Sequence, residues 1–202
     1  MDLVAGPQGS GKSTFFPVAA RGLDSFNVDE HRKQLNRGSS RSVPAVVRRQ
    51  AIADYEAFVE GALRERRSFS IEITLAKDIT FTQAARARKL GFVVQLTYMA
   101  ANLDQCIERV TNRIALGGHG VSPRVIRETY AASMRNLPRA IHTFDLVTVF
   151  DGSVQARLDE SLFEARPRLL LEAQRGTMTY VATLPPWLAE ALSGTEFADL
   201  LQ

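Results

Sequence analysis

Cysteine occurs once in the 202 residues, at Cys106, which excludes an internal disulfide. Its apolar neighbours mark it as core filler in a helix. Lysine is nearly missing: it occurs only at Lys12, Lys33, Lys77 and Lys89, and every other basic residue is arginine. An arginine fork matches phosphate oxygens, but codon usage in a genome rich in G and C produces the same bias, and both readings stand. No apolar run approaches the roughly 18 residues of a membrane-spanning helix. Asp2 follows Met1 directly, so no signal peptide is expected, and a reducing, cytoplasmic compartment is the default. A net charge of +3 makes no polyelectrolyte. The pI of about 9.3 permits nucleic-acid binding, yet no basic stripe interleaved with aromatics is present, which argues against such a groove. Internal repeats and low-complexity tracts are also lacking.

What is there suits one globular domain with a sizeable core: 45% of residues are hydrophobic and 23% charged. Strand and helix patterns alternate. Residues 1–5, 25–28, 69–73, 92–99 and 144–150 read as strands. Helices are expected over residues 13–21, from about Val43 to the charged run at 64–67, after Asp78 as cap, after Asn102 as cap, and after Ser122 as cap with Pro123 in its first turn. The sum is an α/β fold with a mainly parallel five-stranded sheet. Beyond Gly152 the pattern changes to a hairpin about Gly176 and a short helix over residues 186–192. Residues 1–153 form the expected core, with a helical lid at about 103–141, and residues 154–202 the hairpin and helix appended to it.

The strongest local signal is Gly6-Pro7-Gln8-Gly9-Ser10-Gly11-Lys12-Ser13, followed by Thr14, which fits G-x-x-x-x-G-K-[ST] at every fixed position. A strand precedes it and a helix follows, as a P-loop requires. Its glycines let backbone N–H groups converge on a phosphate, Lys12 reaches the β and γ phosphates of ATP, and the Ser13 hydroxyl binds Mg²⁺. The signatures of transporter ATPases, GTPases and helicases are lacking. Asp29 follows the second strand, where a carboxylate can accept the proton of an attacking hydroxyl; it can equally cap the next helix. Arg109 and Arg113 share a helical face, and Arg127 lies beyond the loop of Gly117, Gly118, His119 and Gly120. Two helices joined by that loop make a candidate lid, against the alternative of a solvated basic face.

These pieces resemble, in order, the zeta toxin family of P-loop kinases, especially its short bacterial members: GPQGSGKST at 6–14, NVDEHR at 27–32, EITL at 72–75, RVTNRIALGGHGV at 109–121, IRETYAASMRNL at 126–137 and FDGS at 150–153. The tail, with LPPWL at 184–188, continues the likeness. The resemblance implies ATP- and Mg²⁺-dependent phosphorylation of a sugar hydroxyl, with UDP-N-acetylglucosamine the acceptor in the studied toxins, and an antitoxin as protein partner. It implies Asp29 as general base, Glu72 holding the acceptor with Arg32 beside it, Lys12 as loop lysine, and Arg113 and Arg127 as lid arginines, with Arg109 a third. Larger members contact the antitoxin through extra N-terminal structure, which is not expected before a first strand at Met1. Ile73 and Ser122 replace the Thr and Pro of many short members. Polynucleotide or dinucleotide (NAD) kinases also place Asp after the second strand, and an ATP-driven regulatory switch without phosphoryl transfer is the reading of another class.

Overall fold

The structure, a computed structural model, describes residues 1–118, 120–153 and 166–193. His119, and residues 154–165 and 194–202 of the expected C-terminal segment, lie outside the described residues. The strands are β1 (Asp2–Ala5), β2 (Asp24–Asn27), β3 (Phe69–Ile73), β4 (Gln95–Ala100), β5 (Leu146–Asp151), β6 (Arg168–Gln174) and β7 (Thr177–Val181). They form one sheet of order β2-β3-β1-β4-β5-β6-β7. The first five are parallel, as expected, but the sheet has seven strands rather than five. β6 pairs antiparallel with β5, and β7 with β6. The hairpin therefore satisfies the outer edge of β5 instead of standing apart, and it buries Leu170, Leu171 and Ala173 in doing so.

The helices are α1 (Lys12–Phe15), α2 (Val28–Leu35), α3 (Ala45–Arg64), α4 (Ile79–Lys89), α5 (Leu103–Ala115), α6 (Pro123–Thr143) and α7 (Pro186–Leu192). The helix expected over 13–21 is broken. Pro17 lacks an N–H and sits in extended backbone, so α1 stops and residues Val18–Arg21 continue as a 3-10 turn. The strand expected from Phe92 begins at Gln95. The amide of Phe92 bonds back to Ala87 in the helix stop, and that of Val94 donates to the Asp145 carboxylate at 2.9 Å. Asp78 does not cap α4, because its carboxylate turns to Arg139 at 2.7 Å. Asn102 and Ser122 do cap α5 and α6, through the amides of Asp104 and Val125.

Helices α3, α4, α6 and α7 bury Tyr55, Val59, Leu63, Phe81, Met134, Leu137, Leu188 and Leu192 in one cluster with Leu3, Ile71, Leu96 and Val149 of the sheet. Each such side chain contributes about 1.5–3 kcal/mol of hydrophobic stabilisation. A second, smaller cluster of Ala101, Cys106, Val110 and Ile126 joins α5 to α6. Parallel pairing matches Ala5 with Ile73 and Val4 with Glu72. The turns after β1 and β3 thus emerge side by side at the carboxyl edge of the sheet, where open α/β sheets bind ligands.

Candidate active site

Residues 6–14 wrap from β1 into α1 as the sequence predicts. Gly9 has φ of +84°, and a Cβ there would lie 2.4 Å from the Cys106 carbonyl oxygen, so only glycine lets the loop press against α5. On the other side, a Cβ on Gly152 would meet the Ser10 carbonyl oxygen at 2.2 Å. The FDGS turn after β5 thus supports the loop from below. Arg109 Nη1 lies 3.4 Å from the Gly9 carbonyl oxygen and 3.5 Å from that of Ser10, tying α5 to the loop backbone.

Lys12 is buried and donates from Nζ to the Pro7 carbonyl at 3.3 Å. Desolvation pulls its pKa below the ordinary lysine value, and the charges of Glu72 and Asp29 oppose that shift. Glu72 Oε1 lies 4.0 Å from Lys12 Nζ and accepts from Ser13 Oγ at 2.9 Å. Asp29 stands in the first turn of α2, half exposed, with Arg32 Nη1 3.2 Å from Oδ1. It does not cap that helix. Asn27 does, since Asn27 Oδ1 accepts from the amides of Asp29 and Glu30 at 2.9 and 3.2 Å. Asn27 carried no assignment from the sequence, although Asn ahead of a first turn holding Asp29 and Glu30 is itself an N-cap signature.

Two cavities meet here. One, of about 550 Å³, is lined by Gly9, Gly11, Ser13, Thr14, Arg109 and Arg113. The other, of about 300 Å³, is lined by Arg32, Tyr55, Glu56, Lys77, Thr80 and Thr129. Gln8, Lys12, Asn27, Asp29 and Glu72 belong to both. The structure thus brings together Lys12, Ser13, Asp29, Arg32, Glu72, Arg109 and Arg113. Arg127 is the exception: it is exposed on α6 and lines neither cavity. Tyr55, Lys77 and Thr129 had no signal in the sequence, because only tertiary packing brings α3, the turn between β3 and α4, and α6 to this edge.

The residues present fit a phosphate ligand with its cation. Ser10 Oγ, Gln8 Oε1 and Glu72 Oε2 are buried without a hydrogen-bond partner, and all three belong to the loop or face it. Mg²⁺ in such sites is held by few protein oxygens together with the phosphates of the ligand, and here the Ser13 hydroxyl beside the Glu72 carboxylate would supply the protein's share.

Sheet order and phosphate loop together define a protein of the P-loop α/β fold class. The sequence profile of the family described as Zeta toxin matches residues 1–166, and the chain belongs to that family. No curated protein matches it. Among solved structures, it is similar to AvrRxo1-ORF1:AvrRxo1-ORF2 with sulphate ions, at TM-score 0.66 and 18% identity, covering 98% of this chain and 66% of that one. It is also similar to AvrRxo1-ORF1:-ORF2 with ATP, at TM-score 0.63 and 16% identity, covering 88% and 59%. A third is the PezAT chromosomal toxin-antitoxin system of the human pathogen Streptococcus pneumoniae, at TM-score 0.58 and 16% identity, covering 74% and 66%. The chain spans 66% or less of the length of these relatives. Among the described residues, no helix is long and apolar enough to cross a membrane.

Proposed function

We propose that this chain is an ATP-dependent kinase that phosphorylates a hydroxyl of a small metabolite, a nucleotide sugar of the UDP-N-acetylglucosamine type. The observation that carries the proposal is the common wall of the two cavities, in which Asp29, Lys12 and Glu72 stand between phosphate loop and acceptor space. In this reading the acceptor oxygen bonds to the γ-phosphorus as its proton passes to the Asp29 carboxylate, and ADP leaves. Lys12 and Arg113 neutralise phosphate charge, Arg32 and Glu72 hold the acceptor, and Arg109 positions the loop. Mg²⁺, held at Ser13, supplies further neutralisation when bound. The family and the toxin-antitoxin neighbour support an antitoxin partner and toxicity through this chemistry.

The test is incubation of the protein with ATP and a bacterial metabolite extract, alongside UDP-N-acetylglucosamine alone. Mass spectrometry should find a species heavier by one phosphoryl group, missing when Lys12→Ala replaces the wild type. A wild type that leaves the extract unchanged would overturn the kinase reading in favour of a nucleotide switch. A phosphorylated product other than the UDP-sugar would keep the kinase and replace the acceptor.

A further inference from the structure

The loop after α2 presents arginines to the rim of the nucleotide cavity. Arg37 and Gly38 both take left-handed backbone, with φ of 54° and 80°. For arginine that conformation is costly, and it persists where surrounding structure imposes it. Gly38 N donates to the Lys33 carbonyl at 2.9 Å, and Asn36 Nδ2 donates to the carbonyls of Ser39 and Arg41 at 2.8 and 3.1 Å. The chain is thereby turned back onto the lid. The Arg41 guanidinium lies against Gly117, where a Cβ would be 3.1 Å from its Nη2. Between this loop and the turn at Gly117 and Gly118 lies a cavity of about 520 Å³, lined by Lys33, Arg37, Ser40 and Arg41. Lys33, Ser40 and Gly118 line the nucleotide cavity as well, so the two spaces adjoin. Lys33 has Glu30 at 3.7 Å, whereas Arg37 and Arg41 have no carboxylate within ion-pair distance among the described residues. Like charges gathered on an ordered loop repel one another unless an anion joins them.

We infer that Arg41, with Arg37 and Lys33, forms a second cationic wall that holds the terminal phosphate of ATP and makes the site prefer ATP to ADP. The inference rests on the larger cavity being the nucleotide site. It approaches the triphosphate from the loop after α2, across the turn at Gly117 and Gly118 on which Arg113 also packs, and couples ATP to the segment that continues from Asp29.

Binding alone tests it, with fluorescent mant-ATP and mant-ADP titrated in Mg²⁺ buffer. Arg41→Ala should lose about tenfold in ATP affinity, the worth of one charge-assisted hydrogen bond, while ADP affinity changes less than about twofold. Arg41→Lys should recover part of the loss. Arg64→Ala, which removes the same charge from the exposed end of α3, should behave as wild type. Arg41→Ala binding both nucleotides as wild type does, losing both equally, or matching Arg64→Ala would each overturn the inference. Because no turnover is read, a wild type that binds ATP but transfers nothing sinks the kinase reading and leaves this result standing. A wild type that binds neither nucleotide sinks both. Arg41 is exposed, so thermal unfolding of Arg41→Ala should match wild type.

Discussion

Ser13 Oγ donates to Glu72 Oε1 at 2.9 Å, which joins the end of the phosphate loop to the end of β3. The contact follows from parallel pairing of β1 with β3, which brings both strand ends to one edge. Family resemblance implies that Glu72 holds the acceptor, yet here it also touches the proposed Mg²⁺ hydroxyl and lies beside Lys12. Its carboxylate favours the charged form of a lysine that burial disfavours. Glu72→Gln keeps shape and can still accept from Ser13, but it withdraws that support. Turnover should fall by about 10² or more, and the Mg²⁺ concentration for half-maximal rate should rise. Turnover measured across a Mg²⁺ series decides: a raised acceptor KM with unchanged Mg²⁺ dependence would confine Glu72 to the acceptor.

The two proposed lid arginines occupy different surroundings. Arg113 lines the cavity of about 550 Å³ beside the phosphate loop, and Arg127 is exposed on α6 outside both cavities. Arg113→Ala should therefore lower kcat by about 10³, as loss of an arginine finger does. Arg127→Ala should lower it less. Comparison of the two kcat values under saturating ATP checks this. Equal losses would mean that α6 re-seats on bound nucleotide and carries Arg127 inward.

Much of this site was legible from local spacing. The phosphate loop is contiguous, and its chemistry depends on positions a few residues apart, so Gly6 to Thr14 could be read directly. The carboxyl-edge position of Asp29 followed from strand–helix alternation. Long-range choices were not legible. Whether the 168–181 hairpin joins the sheet depends on hydrogen-bonding partners far away in sequence, at β5. Asp78 has the right residue type for a cap, but Arg139, 61 residues later, takes its carboxylate. Arg127 follows the glycine-rich loop closely, yet its direction is set by how α6 rotates onto Ala101, Cys106 and Val110. The Arg41 loop had no motif at all.

Cys106 gives a pH prediction. Burial pushes its thiol from 9.0 up to about 11, with the charges of Arg109 and Lys12 opposing the shift. A group whose folded pKa is raised contributes stability that is complete below the unfolded value and is lost as pH rises toward the folded one. The Cys106 share should thus be intact below about pH 9 and decline toward pH 11. Denaturant midpoints of wild type and Cys106→Ala, taken from pH 8 to about 11, should converge as pH rises. A constant gap across that range would show that the thiol titrates alike folded and unfolded.

A kinase and a nucleotide switch differ at Asp29, since only a kinase needs a base there. Because Asn27 carries the cap, the base role proposed for Asp29 can be tested apart from helix capping. Asn27→Ala should cost about 0.5–2 kcal/mol of stability, the usual worth of an N-cap, and show as a lowered Tm. Asp29→Asn removes the carboxylate from the first turn of α2 and leaves the cap in place. Its cost through the helix dipole should stay within about 0.3–1 kcal/mol. If Asp29 is the general base, transfer falls by about 10² to 10⁴ while ATP binding holds. The measurements are phosphoryl transfer, nucleotide affinity and Tm for both variants. Activity lost only in proportion to Tm would make Asp29 structural. Full activity with normal Tm would remove the base from the mechanism. Expression in a bacterial host extends the test to biology: growth arrest by wild type, relieved by Asp29→Asn, would make the chemistry itself the toxic agent, whereas a harmless wild type would leave a kinase without toxicity.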